Sequence, residues 1–200
     1  MSFRASDKPV KLVLASTSSY RRMLLERLGL PFEVSAPNVD ESRLPGEEPS
    51  SMAERLARAK ALAVAGRFPD SIVIGSDQAA CCRGELLGKP GNHDNAVLQL
   101  RRLSGREAFF HTALCVHASA TGLTRVRSVP YRVQFRKLDD ALIERYLARE
   151  RPYDCAGSAK AEGLGIALIA RMQGDDPTAL MGLPLIALVD LLQELGQEVV

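Results

Sequence analysis

The chain has no C-x-x-C pair, and its cysteines, Cys81, Cys82, Cys115 and Cys155, show no disulfide framework; the adjacent Cys81 and Cys82 are poorly placed to bridge one another. They read as small buried thiols. His93, His111 and His117 lack metal-ligand spacing, so any bound metal would take oxygen ligands. Charge of one sign is also lacking: 26 Lys and Arg against 24 Asp and Glu leave +2. That balance excludes a surface coated for a nucleic-acid polymer or an anionic membrane, so any anion site must be local. The longest late apolar run, LMGLPLIALVDLL, is short and broken by Pro184 and Asp190, and MSFRASDKPV has no signal-peptide core. The expectation is a soluble, cytoplasmic protein. There is no G-x-x-x-x-G-K-[ST], Gly163-Leu164-Gly165 does not extend to G-x-G-x-x-G, and no cysteine begins a C-x₅-R pattern. ATPase, dinucleotide-oxidoreductase and thiol-phosphatase readings lose their main support.

What is present is an apolar fraction of 46% in 200 residues, enough for a substantial core and an enclosed cleft. No repeat or linker divides the chain, so residues 1–200 read as one domain. Val10 to Ala15 is a strand-length aliphatic run, and Ser16 to Ser19 end it and offer caps to a helix from Tyr20. Leu24, Leu25 and Leu28 share that helix's apolar face, and Gly29 stops it. Phe32 to Ala36 reads as a second strand, followed by the long acidic loop PNVDESRLPGEEPSS. Ser50 or Ser51 is expected to cap a helix with a stripe of Met52, Leu56, Ala59 and Ala63, with Lys60 at its edge. SIVIGSD repeats the arrangement of apolar strand followed by polar residues, which places Asp77 at a strand end. A turn at Arg83-Gly84-Glu85 follows, then a helix from Asn92 or Asp94 to Leu103. Residues 107–119 and 124–136 form a hairpin about Thr121-Gly122. Leu138 to Arg149 is helical, CAGSAKAEGLG is a loop feeding the strand IALIAR, and Pro184 to Leu195 is a closing helix. Strands alternating with helices and then pairing antiparallel predict an α/β protein with a mixed sheet.

Two expected strand ends carry polar clusters, and ligands in α/β sheets gather there. Ser16-Thr17-Ser18 and Arg21 offer hydroxyls, helix-terminal amides and a guanidinium to a phosphate. Plain capping followed by a surface arginine accounts for the same letters. Asp77, with Asp40 and Glu41 from the acidic loop, supplies the hard oxygens that Mg²⁺ or Mn²⁺ accepts beside phosphates. Lys60 and Lys89, the latter between Gly88 and Pro90, are further cations. From the residues alone the reading is an α/β protein binding a nucleotide-like polyanion with a divalent ion.

Ser16-Thr17-Ser18 with Arg21-Arg22, Val39-Asp40-Glu41, Lys60, Gly75-Ser76-Asp77-Gln78, Gly88-Lys89-Pro90, Ala156-Gly157-Ser158 and Met181-Gly182-Leu183-Pro184 stand in one order. In that order they resemble the Maf-like nucleoside triphosphate pyrophosphatases, from about Lys11 to Leu195. The resemblance implies an elongated mixed β-sheet flanked by helices, two lobes around a deep cleft, and often a homodimer. Tyr20, Gln78 and Glu162 stand at three positions that line the base pocket in this family, and they resemble the branch acting on 7-methyl-GTP. That branch usually has tryptophan where Tyr20 stands, and the family usually has proline where Ser19 stands. An aromatic ring at Tyr20 suits a base made cationic by N7 methylation, and Glu162 suits the guanine N1 and N2 donors.

The implied reaction is hydrolysis between the α- and β-phosphates of a nucleoside triphosphate. Ser16, Arg21, Lys60 and Lys89 would hold the phosphates, and Asp40, Glu41 or Asp77 a divalent cation. Asp77 is the candidate general base, with a metal-ligand role left open. Two alternatives stand beside this: the same reaction on other canonical or modified triphosphates, including pyrimidines, and a nucleotide-binding regulator of cell division.

Overall fold

The computed structural model describes residues 10–200, so most of the stretch MSFRASDKPV lies outside the described residues. Three short parallel strands open the fold: β1 (Lys11–Leu14), β2 (Phe32–Val34) and the first half of β3 (Ser71–Cys82). Helix α1 (Ser19–Glu26) joins β1 to β2, and α2 (Pro49–Ala65) lies between β2 and β3 in the chain. From β3 onward pairing is antiparallel, to β4 (Glu85–Leu87) on one side and to β5 (Glu107–Ala118) on the other. β5 turns into β6 (Leu123–Phe135), and β6 pairs with β7 (Ile169–Gln173). The result is a seven-stranded mixed sheet of order β2-β1-β3-β5-β6-β7, with β4 beside β3. Helices α3 (His93–Leu103), α4 (Asp140–Glu150) and α5 (Leu185–Glu194) complete the α/β architecture.

Local chemistry accounts for most boundaries. Ser18 caps α1 by accepting from the Arg21 amide, and Asn92 and Asp139 cap α3 and α4 in the same way. Gly29 takes a φ of 69° just past α1. The β3–β4 turn places both Arg83 and Gly84 at positive φ, which matches strand twist in a tight hairpin. Helix α2 begins earlier than its serines suggest: Pro49 opens it and Glu48 is the cap residue, without a side-chain capping bond. Proline at the first helical position has no amide to leave unsatisfied, so it starts the helix unaided. The glycine-rich segment is not plain loop but contains a short 3₁₀ turn, Ala156–Ser158, and a second, Leu164–Leu168, takes the first residues of the expected strand IALIAR, so that β7 starts at Ile169.

Strand alternation divides the core between the two faces of the sheet. Ile72, Ile74, Ala80 and Cys82 of β3 join the larger cluster, with Leu24 and Leu25 of α1, Leu100 of α3, Leu147 of α4 and Leu188 of α5. Val73 and Ala79 join the smaller cluster, which is built on α2. The buried face of α2 is Ala53, Leu56, Ala57, Lys60, Ala61 and Val64 rather than a stripe through Ala59 and Ala63. Lys60 therefore lies within the buried face, not at its edge. Gly75 decides which face is used. A Cβ there would stand 2.3 Å from the Ala57 carbonyl oxygen and 2.7 Å from the Ala61 nitrogen, so α2 rests directly on β3 backbone.

The second correction concerns β3 itself, which does not end at Asp77. It runs on to Cys82, with Asp77 opposite Ala113 and Gln78 opposite Thr112 of β5. Its other edge is shared: β1 pairs with it only as far as Ile74, and β4 begins pairing at Ala80. Between them, Gly75 to Ala79 form a window that neither strand covers.

Gly75→Ala tests the close approach. Overpacking at this position is expected to cost about 1–3 kcal/mol and to move Lys60 off Asp77, lowering both the thermal midpoint and turnover. Gly66→Ala, at an open position with nothing within 4 Å, is expected to leave both near wild type.

Candidate active site

The window in β3 opens into a cleft of about 450 Å³, within the ~300–1,000 Å³ usual for small-molecule sites. Asp77 and Gln78 are neighbours on β3 and point to opposite faces, yet both line this cleft. On the α2 face, Lys60 Nζ lies 2.6 Å from Asp77 Oδ1 and 2.7 Å from Glu41 Oε1. Lys60 and Asp77 are almost fully buried, whereas Glu41 reaches in from the acidic loop with 59% of its side chain exposed. Burial raises the Asp77 pKa above the ordinary aspartate value of 3.8, and nearby Lys60 and Arg21 partly offset it.

On the opposite face, the segment leading into α5 meets β3. Arg21 Nε donates to the Gly182 carbonyl at 2.8 Å, and Ser76 Oγ lies 2.8 Å from the carbonyl oxygens of both Gly182 and Ala113. Gly182 has a φ of 103°, which a side chain rarely adopts, and that turn aims its carbonyl at the guanidinium. Burial opposes the charge on half-buried Arg21, while Asp77 and Glu41 favour it. Ser16 Oγ accepts from the Ser18 amide at 3.1 Å, which leaves the hydroxyl proton for a ligand.

Gln78 has a determined orientation. Its Nε2 lies 2.8 Å from Thr112 Oγ1, 2.9 Å from the Ala179 carbonyl and 3.1 Å from that of Leu180. Thr112 spends its own proton on the Ala179 carbonyl, so it can only accept from Gln78. The amide nitrogen is thereby turned inward, and Oε1 is the atom left to accept from a ligand. Tyr20, Cys155, Asp154, Lys160 and Glu162 line the same cleft. The Cys155 thiol donates to the Tyr20 hydroxyl at 3.7 Å. Burial first, then Cys155, Asp154 and Glu162, push the Tyr20 phenol pKa up, so it stays neutral. Cys155 is itself pushed up to about 11, mainly by burial, and is not a thiolate nucleophile at neutral pH.

Of the residues singled out by sequence, Ser16, Tyr20, Arg21, Glu41, Lys60, Asp77, Gln78, Lys89 and Glu162 all line the one cleft. A family model described as Maf-like protein matches residues 11–195. The chain belongs to the Maf-like protein family. Proteins named 7-methyl-GTP pyrophosphatase are similar along nearly the whole Maf-like chain. One from Methylobacillus flagellatus is 57% identical over 189 residues, covering 94% of this chain and 98% of its own. One from Aromatoleum aromaticum is 58% identical over 186 residues, covering 93% and 96%. A third, from Nitrosospira multiformis, is 56% identical over 190 residues, covering 95% and 96%.

Asp40 departs from the expected ligand set of this Maf-like site. It is exposed, does not line the cleft, and accepts from the Ser42 amide at 2.9 Å; the Ser42 hydroxyl first, and its amide second, lower its pKa. The residue after it is the one delivered, because the loop is anchored elsewhere. Glu47 takes two bonds from Arg55, at 2.6 and 2.8 Å, and one from the Leu44 amide at 3.0 Å. The Arg55 bond is the main reason the Glu47 pKa falls to about 2. Arg55 also holds the Ser42 carbonyl at 3.0 Å, so α2 sets the path of the loop that brings Glu41 to Lys60.

Among the described residues, no three His, Cys, Asp or Glu side chains form a group able to hold a metal unaided. Glu41 and Asp77, meeting at one ammonium, do fit the other kind of site, in which one or two carboxylates and substrate phosphates share Mg²⁺ or Mn²⁺. Thr112, Arg55, Cys155 and Lys160 were not singled out by sequence reading. No local motif marks them: Thr112, Cys155 and Lys160 are defined by partners far along the chain, and Arg55 by Glu47 across a loop of irregular path.

The raised Asp77 pKa has two consequences of definite sign. Folded Asp77 keeps its proton where an unfolded aspartate has lost it, so its contribution to stability falls as pH rises from 3.8 through the folded value. Activity that needs the ionised carboxylate should rise over that same window, giving an acid limb above 3.8. Lys60→Met removes the largest pKa-lowering influence, so its acid limb is expected at higher pH than wild type in a kcat/KM profile.

Proposed function

We propose that this chain hydrolyses the bond between the α- and β-phosphates of 7-methyl-GTP, giving 7-methyl-GMP and pyrophosphate. The observation that carries the reading is the joining, in one cleft, of a cationic and carboxylate centre with a base-sized wall of Tyr20, Gln78 and Glu162. The names of the 52–58% identical relatives favour the same substrate.

Arg21, Lys60, Lys89 and the Ser16 hydroxyl would bind the triphosphate and neutralise the charge that develops on the leaving pyrophosphate. Asp77, ionised and beside Lys60, would take a proton from water as the water oxygen attacks the α-phosphorus. The bond to the bridging oxygen then breaks, and its electrons leave with pyrophosphate. Glu41 would hold a divalent cation together with phosphate oxygens, and Asp77 would join it only in place of its role as base. Such an ion would supply charge neutralisation and a more acidic water. Asp40 has no part in this set.

At the other end, Tyr20 would stack on the methylated ring, with a cation–π gain of about 0.5–2 kcal/mol. Glu162 and Gln78 Oε1 would accept from N1 and N2 of guanine, donors that a pyrimidine does not present in that arrangement. The reaction consumes a small molecule, and nothing in it calls for a nucleic-acid polymer or a membrane. Among the described residues no helix is long and apolar enough to cross one.

Pyrophosphate release from a magnesium- or manganese-supplemented panel of triphosphates tests the reading. The expected result is a preference for 7-methyl-GTP, with Asp77→Asn folded but inactive. Preference for a pyrimidine triphosphate would overturn the substrate, and near-normal turnover by Asp77→Asn would overturn its role. Stoichiometric nucleotide binding without pyrophosphate release would favour a regulator instead. Tyr20→Ala should raise KM for 7-methyl-GTP by roughly twofold to thirtyfold, the range a lost cation–π contact allows, and affect unmethylated GTP less.

A further inference from the structure

The base end of the cleft is rich in acceptors, and guanine presents one acceptor that they cannot satisfy. Gln78 offers Oε1 because its nitrogen is held by Thr112, Ala179 and Leu180. Glu162 offers a carboxylate, and so does Asp154. These suit the N1 and N2 donors of guanine, but O6 needs an N–H or O–H. Lys160 supplies a donor at this end: its Nζ lies 5.6 Å from the centroid of the Tyr20 ring, on which the base would stack.

This lysine is held from below. Its backbone nitrogen donates to Tyr146 Oη at 3.0 Å, and its carbonyl accepts from the amides of Gly163 and Gly165, each at 3.0 Å. A Cβ on Gly165 would stand 2.6 Å from the Lys160 nitrogen, so the loop closes this tightly only with glycine there. Glu150 of α4 accepts from the Leu164 amide at 2.7 Å and places Oε1 3.4 Å from the Lys160 ammonium. The carboxylate offsets the lysine charge. The pair can therefore offer an N–H beside a methylated, cationic ring with less like-charge repulsion than a bare ammonium.

Resting on the 7-methyl-GTP reading above, we propose that Lys160 is a specificity-determining residue that donates to O6 of the base, with Glu150 as its positioning residue. A 6-oxo purine is then accepted and a 6-amino purine is met by a donor facing a donor, a mismatch that leaves both groups unpaired. Asp77, Lys60 and the phosphate end take no part, so the effect should fall on KM rather than kcat.

The test compares 7-methyl-GTP with the triphosphate of 7-methyl-2,6-diaminopurine riboside, which carries an amino group at position 6. Lys160→Met, which keeps the aliphatic stem, is expected to raise KM for 7-methyl-GTP roughly tenfold to a hundredfold, as loss of a charge-assisted hydrogen bond does. Its kcat should hold, and its KM for the diaminopurine analogue should stay level or improve. Lys160→Arg should recover most of the loss, and Glu150→Gln should reproduce part of it. An equal change for both nucleotides, or a fall in kcat alone, overturns the assignment. Failure of the wild type to prefer 7-methyl-GTP would instead sink the substrate reading, so the two outcomes are distinguishable.

Discussion

The site depends on a length mismatch within the sheet. β1 leaves β3 after Ile74 and β4 joins it only at Ala80, so the strand edge between them is not covered by a neighbour. Because successive side chains point to opposite faces, that interval presents Asp77 to α2 and Ser76 and Gln78 to the Ala179–Gly182 segment. A continuous neighbour would have sealed the edge and kept the two faces apart. The window lets a single ligand touch both.

Each half of the site is then fixed by a close backbone contact. On one side, Gly75 allows α2 to rest on β3, and only at that distance can Lys60 bond Asp77 at 2.6 Å. A buried ion pair is weak evidence of stability, because desolvation opposes the attraction, and its presence in a cleft points to function. On the other side, Gly182 turns its carbonyl toward Arg21 and Ser76, which ties the start of α5 to the start of α1. The two glycines act differently. Gly75 matters for the absence of a side chain, and Gly182 for its backbone angle.

The cleft is also polarised along its length. Arg21 and Lys60 stand with Asp77 and Glu41, whereas Asp154 and Glu162 act on Tyr20. An acceptor-rich, electronegative wall suits a cationic base and disfavours a second phosphate, so charge alone would orient a nucleotide. Lys160, offset by Glu150, is the donor set into that wall.

Much of this was legible in the letters. The β5–β6 hairpin is marked by Thr121-Gly122, α3 by Asn92, and the order of separated blocks from Ser16 to Pro184 is that of the family. Individual capping residues and apolar runs are governed by neighbours a few positions away, so the chain itself determines them. Three readings needed tertiary structure. Polarity usually stops a strand, which puts a strand end at Asp77, but pairing with β5 and then β4 carries β3 through it to Cys82. Alanines lie on both sides of α2, so the letters do not choose its buried face, and contact with Gly75 does. Asp40 and Glu41 are chemically alike in sequence, and the Glu47–Arg55 pair decides which of them reaches Lys60. The sequence by itself determined the elements and the chemical inventory; the tertiary structure decided which donors and acceptors meet, because hydrogen bonds and ion pairs are set by distances of a few ångströms between segments that local preference does not relate.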